Sequence, residues 1–318
     1  MVKVLAMKAT FPDHWSTADI PSQAGKLAIV TGTGGLGYET ALALANAGAE
    51  VIIAGRSEEK GHEAVARIRA GNAAARVRFG LLDLADLSSV AAFAELQLGE
   101  ARPIDLLVNN AGVMTPPDRR ETKDGFELQF GTNYLGHFAL TARLLPLLLR
   151  GQETRVVQVS SGAHRLQADI HFDDLQWQRS YKPWPAYAQS KLATLMFALE
   201  LQRRSDANGW GLMSNAAHPG YATTDLIANG PGQKGLAWLF NRYVMQPVAS
   251  HSPASGALPT LLAATSPLAE KAGYYGPRNA FELKGPPAPA IVGKKAQDIT
   301  VAKKLWDVSN ELCGVAWS

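Results

Sequence analysis

The 318-residue sequence lacks the features that mark several large classes of protein. It has one cysteine, Cys313, so no internal disulfide, multi-cysteine zinc site or iron–sulfur cluster is expected. It has no uninterrupted apolar run of about 18 residues, and a membrane-spanning helix is therefore not expected. The N-terminus lacks a secretory core and a small-residue cleavage site, which predicts a cytoplasmic protein.

The sequence also has little excess of positive over negative charge. The 31 Lys and Arg residues nearly balance the 28 Asp and Glu residues, and no basic cluster stands out. A nucleic-acid partner is therefore not expected. The histidines at positions 137, 164 and 218 are scattered, and we interpret them as structural because no metal-ligand spacing is present. No metal is predicted.

The first two-thirds of the sequence alternates between two kinds of segment. Short aliphatic or β-branched runs are separated by longer stretches of helical spacing, rich in Ala, Leu and Glu. The runs are 27–31, 50–54, 77–82, 104–109, 155–160 and 212–217. This alternation predicts an α/β fold of Rossmann type, a doubly wound parallel sheet with helices on both faces.

The chain has no linker long enough to separate two domains, so we predict a single domain over residues 1–318. Residues 1–24 are interpreted as an N-terminal arm, 25–225 as the dinucleotide-binding and catalytic core, and 226–318 as a substrate lid and C-terminal extension. In the last part, 285–289 (GPPAP) predicts a break in regular structure, and 298–312 has helical spacing. Its predicted apolar stripe consists of Val301, Leu305, Val308 and Leu312.

A glycine-rich loop follows the first predicted strand. Gly32, Gly34 and Gly37 satisfy G-x-G-x-x-G between an aliphatic strand and an Ala/Leu helix. Glycine suits this position because the turn is tight and the backbone must approach a pyrophosphate at the helix N-terminus. The prediction is a dinucleotide site formed by Gly32, Thr33, Gly34, Gly35, Leu36 and Gly37. The alternative is a glycine-rich turn without a ligand.

The end of the second strand predicts which dinucleotide binds. Gly55 stands where an NAD site commonly has an acid, and Arg56 follows. A guanidinium suits a 2′-phosphate, so NADP(H) is favoured, although Arg56 could also be an ordinary solvated residue before a helix cap at Ser57. Asp83, after the third strand, is either an adenine contact or a turn aspartate, and the sequence leaves both open.

Tyr187 and Lys191 form Y-x-x-x-K within a predicted helix, 184–204. Residues four apart share a helix face. A free tyrosine has a pKa of ~10, and a nearby ammonium lowers that pKa. Together with an oxidised nicotinamide, Lys191 is expected to lower the pKa of the phenol toward neutrality. The alternative is a surface tyrosine stacked on a lysine stem.

Polar residues also follow two other predicted strands. Ser160 and Ser161 end one strand, and 109–112 (NNAG) ends another. Ligands of open α/β sheets gather at the carboxyl ends of strands, so these residues are expected near Tyr187.

These motifs, in this order, resemble the short-chain dehydrogenase/reductase family over roughly residues 25–225. Finer features, such as GYETA, SSGAHRL and AYAQSKLATLMFALEL, are similar to its retinol-dehydrogenase and protochlorophyllide-reductase-like branch. The family motifs are TGTGGLG (31–37), DL (83–84), NNAG (109–112), Asn133, SS (160–161), YAQSK (187–191) and HPGYAT (218–223).

The resemblance implies roles for individual residues. Tyr187 would be the general acid/base, Lys191 would lower its pKa and bind the nicotinamide ribose, and Ser161 would orient the substrate. Asn133 would hold a water in a proton relay. The remaining implied cofactor contacts are Asp83, Leu84, Asn109, Ala111, Gly112, Pro219, Gly220 and Thr223.

Two departures from the family pattern matter. The loop TGTGGLG is one residue shorter than the usual T-G-x-x-x-G-x-G, which affects the expected pyrophosphate geometry. The single cysteine lies far along the tail, so the light-driven protochlorophyllide activity is not expected.

The predicted function is NADP-dependent hydride transfer between nicotinamide and a carbonyl/alcohol pair of a hydrophobic ketone, aldehyde or alcohol. Alternatives are an epimerase or dehydratase, and a nucleotide-binding sensor or scaffold with a defunct site. A homodimer or homotetramer is possible by family resemblance. The aromatic and apolar residues that suggest a substrate pocket, or only a packed lid, are Trp177, Tyr181, Trp184, Trp238, Phe240, Tyr243 and Met245.

Overall fold

The computed structural model describes residues 12–221 and 251–317. In these residues the strands form one sheet of order β3-β2-β1-β4-β5-β6-β7-β8. Neighbouring strands are parallel except for the antiparallel pair β7–β8. The strands are β1 (Leu27–Thr31), β2 (Glu50–Gly55), β3 (Val77–Leu81), β4 (Leu106–Asn109), β5 (Arg155–Val159), β6 (Met213–Ala217), β7 (Tyr274–Asn279) and β8 (Lys284–Pro289).

Helices connect these strands. The α-helices of the described residues are α1 (Gly35–Asn46), α2 (Glu58–Gly71), α3 (Leu87–Glu100), α4 (Leu128–Phe130), α5 (Gly136–Leu148), α6 (Pro183–Asn208), α7 (Pro253–Thr265) and α8 (Ile299–Cys313). A π-helical segment, Gly131–Leu135, joins α4 to α5, and 3₁₀ turns span Thr17–Asp19, Gly162–Arg165 and Lys294–Gln297.

The hydrophobic core lies on both faces of the sheet. In β1, Leu27 and Ile29 pack on the face covered by α3, α5, α6 and α8, while Ala28 and Val30 pack on the face covered by α1, α2 and α7. Burial on both faces explains why the strands read as continuous apolar runs in the sequence. The predicted doubly wound α/β fold is therefore confirmed, and the chain forms a single domain.

The predicted elements agree with the structure in most places. All six predicted strands occur within two residues of their predicted ends, and helices 184–204 and 298–312 correspond to α6 and α8. The buried face of α8 differs from the predicted stripe: Leu305 is buried, but Val301, Val308 and Leu312 are only half-buried. Ala302, Trp306, Ser309 and Cys313 complete the buried face.

The predicted break at 285–289 is wrong, because these residues belong to strand β8. Proline is tolerated there since β8 is an edge strand that pairs only with β7, so it can occupy positions where the ladder needs no N–H.

At the N-terminal end, Trp15 is 4% exposed and packs in the core on the α1 side. None of the helices within 12–221 and 251–317 combines the length and hydropathy needed to cross a bilayer. The part of the predicted lid at 222–250 lies outside the described residues, and so do Thr223, Trp238, Phe240, Tyr243 and Met245.

Candidate active site

The glycine loop makes a tight connection between β1 and α1. Gly32 has φ +99°, a conformation that favours glycine. A Cβ on Gly37 would lie 2.2 Å from the Gly32 carbonyl oxygen, so only glycine permits this approach of helix to loop. These two positions therefore serve the roles expected of a dinucleotide-binding turn.

The N-terminus of α1 is open to a ligand. Its cap, Gly34, offers no side-chain hydrogen bond to the first-turn N–H groups, and no acidic residue occupies that turn. Unpaired N–H groups and the helix dipole attract an anion there. The loop thus fits a pyrophosphate even though it is one residue shorter than the usual family pattern.

A cleft of about 350 Å³ opens beside this helix at the carboxyl ends of the strands. Most of the predicted cofactor residues line it, while Gly37, Asn109 and Gly220 do not. The predicted residues that line the cleft are Gly32, Thr33, Gly34, Gly35, Leu36, Arg56, Asp83, Leu84, Ala111, Gly112, Tyr187, Lys191 and Pro219.

The two neighbouring asparagines at the end of β4, Asn109 and Asn110, point in different directions. Asn109 is buried and donates through Nδ2 to Thr141 Oγ1 at 3.0 Å. Asn110 lines the cleft, and its Nδ2 donates to the Thr31 carbonyl at 2.8 Å. Because alternate residues of a strand face opposite sides, the second asparagine rather than the first reaches the cleft.

One end of the cleft is basic. Arg56 and Lys60 both line it, together with Ser57, the N-cap of α2. Sequence reasoning identified Arg56 but missed Lys60, whose signal is its position in the first turn of the following helix. Two cations and a helix N-terminus at this place suit a phosphate group.

Gly55 explains why no acid stands at the end of β2. A Cβ at this position would lie 2.8 Å from Cγ2 of Thr33 in the glycine loop. Any side chain would therefore have to displace Thr33. Gly55 therefore leaves no carboxylate at the place where an NAD site commonly has one for the ribose 2′-hydroxyl.

Asp83 is a turn aspartate, as one of the two interpretations has it, and the adenine contact stays a prediction. It lines the cleft, and its Oδ1 accepts a hydrogen bond from the Ala85 N–H at 2.9 Å. The carboxylate therefore shapes the turn after β3 and also borders the space for a ligand.

Helix α6 brings Tyr187 and Lys191 to the same end of the sheet. Lys191 Nζ lies 5.8 Å from the centroid of the Tyr187 ring and donates to the Val159 carbonyl at 2.9 Å. The Ser161 side chain lies close enough to the Tyr187 phenol to lower its pKa. Tyr187 and Lys191 both line the cleft, since i and i+4 positions share a helix face. Of the two serines that follow β5, Ser160 lines the cleft, while Ser161 lies beside the Tyr187 phenol.

The pKa of Tyr187 is controlled by burial. Burial raises the pKa of the phenol to about 12, and the neighbouring Ser161 side chain opposes this only in part. Burial also lowers the pKa of Lys191 to about 8. In the protein alone, desolvation therefore outweighs the attraction of the neighbouring amine. The predicted lowering of the tyrosine pKa also depends on an oxidised nicotinamide, and it stays a prediction.

Asn133 lies within the π-helical segment and is buried. Its Oδ1 accepts from the Val113 N–H at 2.7 Å, and its Nδ2 donates to Ser190 Oγ at 2.9 Å. The side chain thus braces the strand-end segment after β4 against α6, next to Lys191. π-Helical turns are often found at functional sites. Asn133 does not itself line the cleft.

Of the aromatic residues described near α6, Trp184 is closest to the reactive phenol. Its ring centroid lies 5.9 Å from that of Tyr187, and it is 40% exposed. Tyr181 instead donates to the Pro116 carbonyl and accepts from Gln129, so it braces the structure. Trp184 is therefore a partly exposed aromatic residue beside Tyr187, although it does not line the cleft.

Residues 26–234 match the family model for short chain dehydrogenase. The chain belongs to the short-chain dehydrogenase family. It is 42% identical over 312 residues to human retinol dehydrogenase 13, covering 95% of this chain and 90% of the relative. It is 40% identical over 305 residues to mouse polyprenol dehydrogenase, covering 93% and 86%. It is therefore an oxidoreductase of the retinol-dehydrogenase-like branch.

Solved structures of short-chain dehydrogenases share the fold. An uncharacterised protein of Mycobacterium paratuberculosis is 40% identical, with a TM-score of 0.78 over 96% of this chain and 99% of that chain. A gluconate 5-dehydrogenase of Beutenbergia cavernae, described as NAD(P) dependent with bound NADP, is 25% identical, with a TM-score of 0.59 over 77% and 91%. The family and the glycine loop together support a nicotinamide cofactor in this short-chain dehydrogenase.

Proposed function

We propose that this chain is an NADP-dependent oxidoreductase that interconverts a carbonyl and an alcohol on a hydrophobic small molecule. The observation that carries the proposal is that Tyr187 and Lys191 line one cleft, 5.8 Å apart from ring centroid to Nζ, together with the glycine loop, and that Ser161 lies beside the phenol. A nicotinamide supplies or accepts hydride when it is bound in this family of cofactor enzymes.

Tyr187 is proposed as the general acid/base. Because its pKa is raised to about 12, the phenol is protonated at neutral pH and can donate to a carbonyl oxygen. Ser161 lies beside the phenol and would orient the same oxygen. Lys191 would attract the developing phenolate, and Asn133 would keep the elements around Lys191 in register. Positioned acid–base catalysis of this kind contributes ~10²–10⁴-fold.

The preference for NADP(H) rests on the basic end of the cleft. Arg56 and Lys60 would pair with a 2′-phosphate, and Gly55 leaves no carboxylate there to bind a free 2′-hydroxyl. Asp83, Leu84, Ala111, Gly112 and Pro219 would line the rest of the cofactor site. Asn109 and Gly220 would act from behind it, and Thr223 stays a prediction from the family resemblance.

A hydrophobic alcohol or carbonyl compound is the proposed substrate class. Two relatives are named for retinol and polyprenol, both apolar alcohols, and Trp184 offers an aromatic surface beside Tyr187. We propose that residues 25–225 hold the cofactor and catalytic groups, with 226–318 covering the substrate. Cytoplasmic localisation and a homodimer or homotetramer stay predictions.

Substitution of Tyr187 by phenylalanine tests the proposal. Turnover of a panel of apolar ketones and alcohols, followed by the absorbance of reduced nicotinamide, should fall by at least about 100-fold. The affinity for NADPH should change little because the phenol ring is kept. Full turnover in Y187F would remove Tyr187 from its role. NADPH binding without net cofactor consumption would favour an epimerase, a dehydratase or a sensor.

A further inference from the structure

His164 is a buried histidine that lies close to the catalytic residues but has no role in the proposed reaction. It follows Ser161 by three residues in the 3₁₀ turn Gly162–Arg165 and is 2% exposed. Its Nδ1 lies 2.7 Å from the Ser161 carbonyl oxygen, and its Nε2 lies 3.1 Å from the backbone nitrogen of Gly293.

The two partners determine the tautomer of this ring. The Ser161 carbonyl only accepts, so Nδ1 carries the hydrogen and donates it. The Gly293 N–H only donates, so Nε2 carries the lone pair. The ring is therefore neutral. Burial lowers the pKa of His164 to about 4, in agreement with this assignment, with Arg165 and His218 disfavouring the charge and Glu282 favouring it.

The surroundings hold the ring in one orientation. Tyr274 packs edge-on against it with centroids 5.3 Å apart, and the Tyr274 hydroxyl lies 3.4 Å from Nδ1. A Cβ on Gly293 would lie 3.1 Å from Cδ2 of the ring, so the backbone approaches it closely. The His164 ring is thus packed between β7 and the segment that follows β8.

We propose that His164 is a positioning residue whose Nδ1–H orients the peptide after Ser161, and thereby aims the Ser161 hydroxyl at Tyr187. This inference rests on the proposed function of Ser161 and Tyr187. The ring also fastens Ser161 to Gly293, so the C-terminal part of the chain helps to set the geometry of the reacting groups.

The ring hydrogen bond adds to one that the backbone already makes. The Ser161 carbonyl also accepts from the His164 backbone N–H at 3.1 Å. The 3₁₀ turn can therefore form without the imidazole. Loss of the ring bond should loosen the aim of Ser161 rather than unfold the turn.

Two amide substitutions of His164 test the hydrogen bonds of Nδ1 and Nε2 separately. In H164N the amide nitrogen takes the place of Nδ1 and can still donate to Ser161, whereas in H164Q the amide oxygen takes the place of Nε2 and can accept from Gly293. H164Q should lower kcat about fivefold to tenfold, with the KM for NADPH unchanged, and H164N should recover most of this loss. Equal losses in both variants, or wild-type kcat in H164Q, would overturn the proposal.

A double-mutant cycle with S161A tests whether His164 acts through Ser161. The double variant S161A/H164Q should turn over no more slowly than S161A alone, because the residue being positioned has gone. A further loss of about fivefold in the double variant would show an independent role and contradict the inference. Y187F identifies a different failure: if it keeps full turnover, the proposed function itself is wrong.

Discussion

The basic end of the cleft makes a quantitative prediction about cofactor preference. Arg56 and Lys60 border the place expected for a 2′-phosphate, and both are exposed to solvent. A hydrogen bond to a charged group contributes about 1.5–3 kcal/mol, and solvent screening favours the lower end. Removing either side chain should therefore weaken NADPH binding about tenfold and NADH binding hardly at all.

Calorimetric or fluorescence titration of R56A and K60A with both cofactors measures this difference. R67A is a matched control, since Arg67 is an exposed cation of the same helix that stacks on Tyr38 and does not line the cleft. Its affinity for both cofactors should stay unchanged. Wild-type affinity for NADPH should also fall with salt more steeply than that for NADH, and less steeply in the double variant R56A/K60A.

A similar loss of affinity for NADPH and NADH would contradict the assignment of a 2′-phosphate site. Such a result would mean that Arg56 and Lys60 support the adenosine or the fold of α2 rather than a 2′-phosphate. R56E gives a stronger version of the same test, because a carboxylate repels the phosphate and can accept from a ribose hydroxyl. The cofactor preference of R56E should therefore shift from NADPH toward NADH.

Two other substitutions test the loop and the buried amine. G37A should abolish measurable cofactor binding or prevent folding, because its Cβ would lie 2.2 Å from the Gly32 carbonyl oxygen. G71A is the control, because an added Cβ at the end of α2 meets open space. In thermal unfolding, G71A should be neutral or stabilising by about 0.5–1 kcal/mol. K191M should unfold at a higher temperature than wild type at pH 7 while losing turnover. A Lys191 pKa near 8 instead of 10.5 corresponds to about 3 kcal/mol of destabilisation, complete below pH 8 and relieved as the pH rises from 8 toward 10.5. A stability gain in K191M that does not shrink over this pH range would contradict the assigned cause.

Local spacing predicted the central parts of the site well. Gly32 and Gly37 lie in the turn that the motif predicts, and Tyr187 and Lys191 share a face of α6 because positions i and i+4 always do. Ser161 reaches Tyr187 because both belong to the carboxyl edge of the sheet. Such relations depend on the period of a helix or strand, which the order of residues already contains.

Other features could not be predicted from spacing. Lys60 borders the cleft because α2 turns its first residues toward the end of β2. Asn110, and not the predicted Asn109, lines the cleft because successive residues after Val108 face opposite sides of the strand. The prolines of β8 fit because the strand is at the sheet edge. The pKa of Tyr187 rises because the phenol is buried by elements far away in the chain.

The order of residues alone is enough to predict the alternation of strands and helices, the glycine turn and the pairing of a tyrosine with a lysine one helical turn later. Folding in three dimensions was needed to show which side chains border the cleft and how strongly burial changes their proton affinities. It also showed that Ser161 is connected through His164 to Gly293, which lies 129 residues after His164. This division arises because periodicity is a local property of the chain. Desolvation and contact between distant segments exist only once the sheet has assembled and its two faces have been covered.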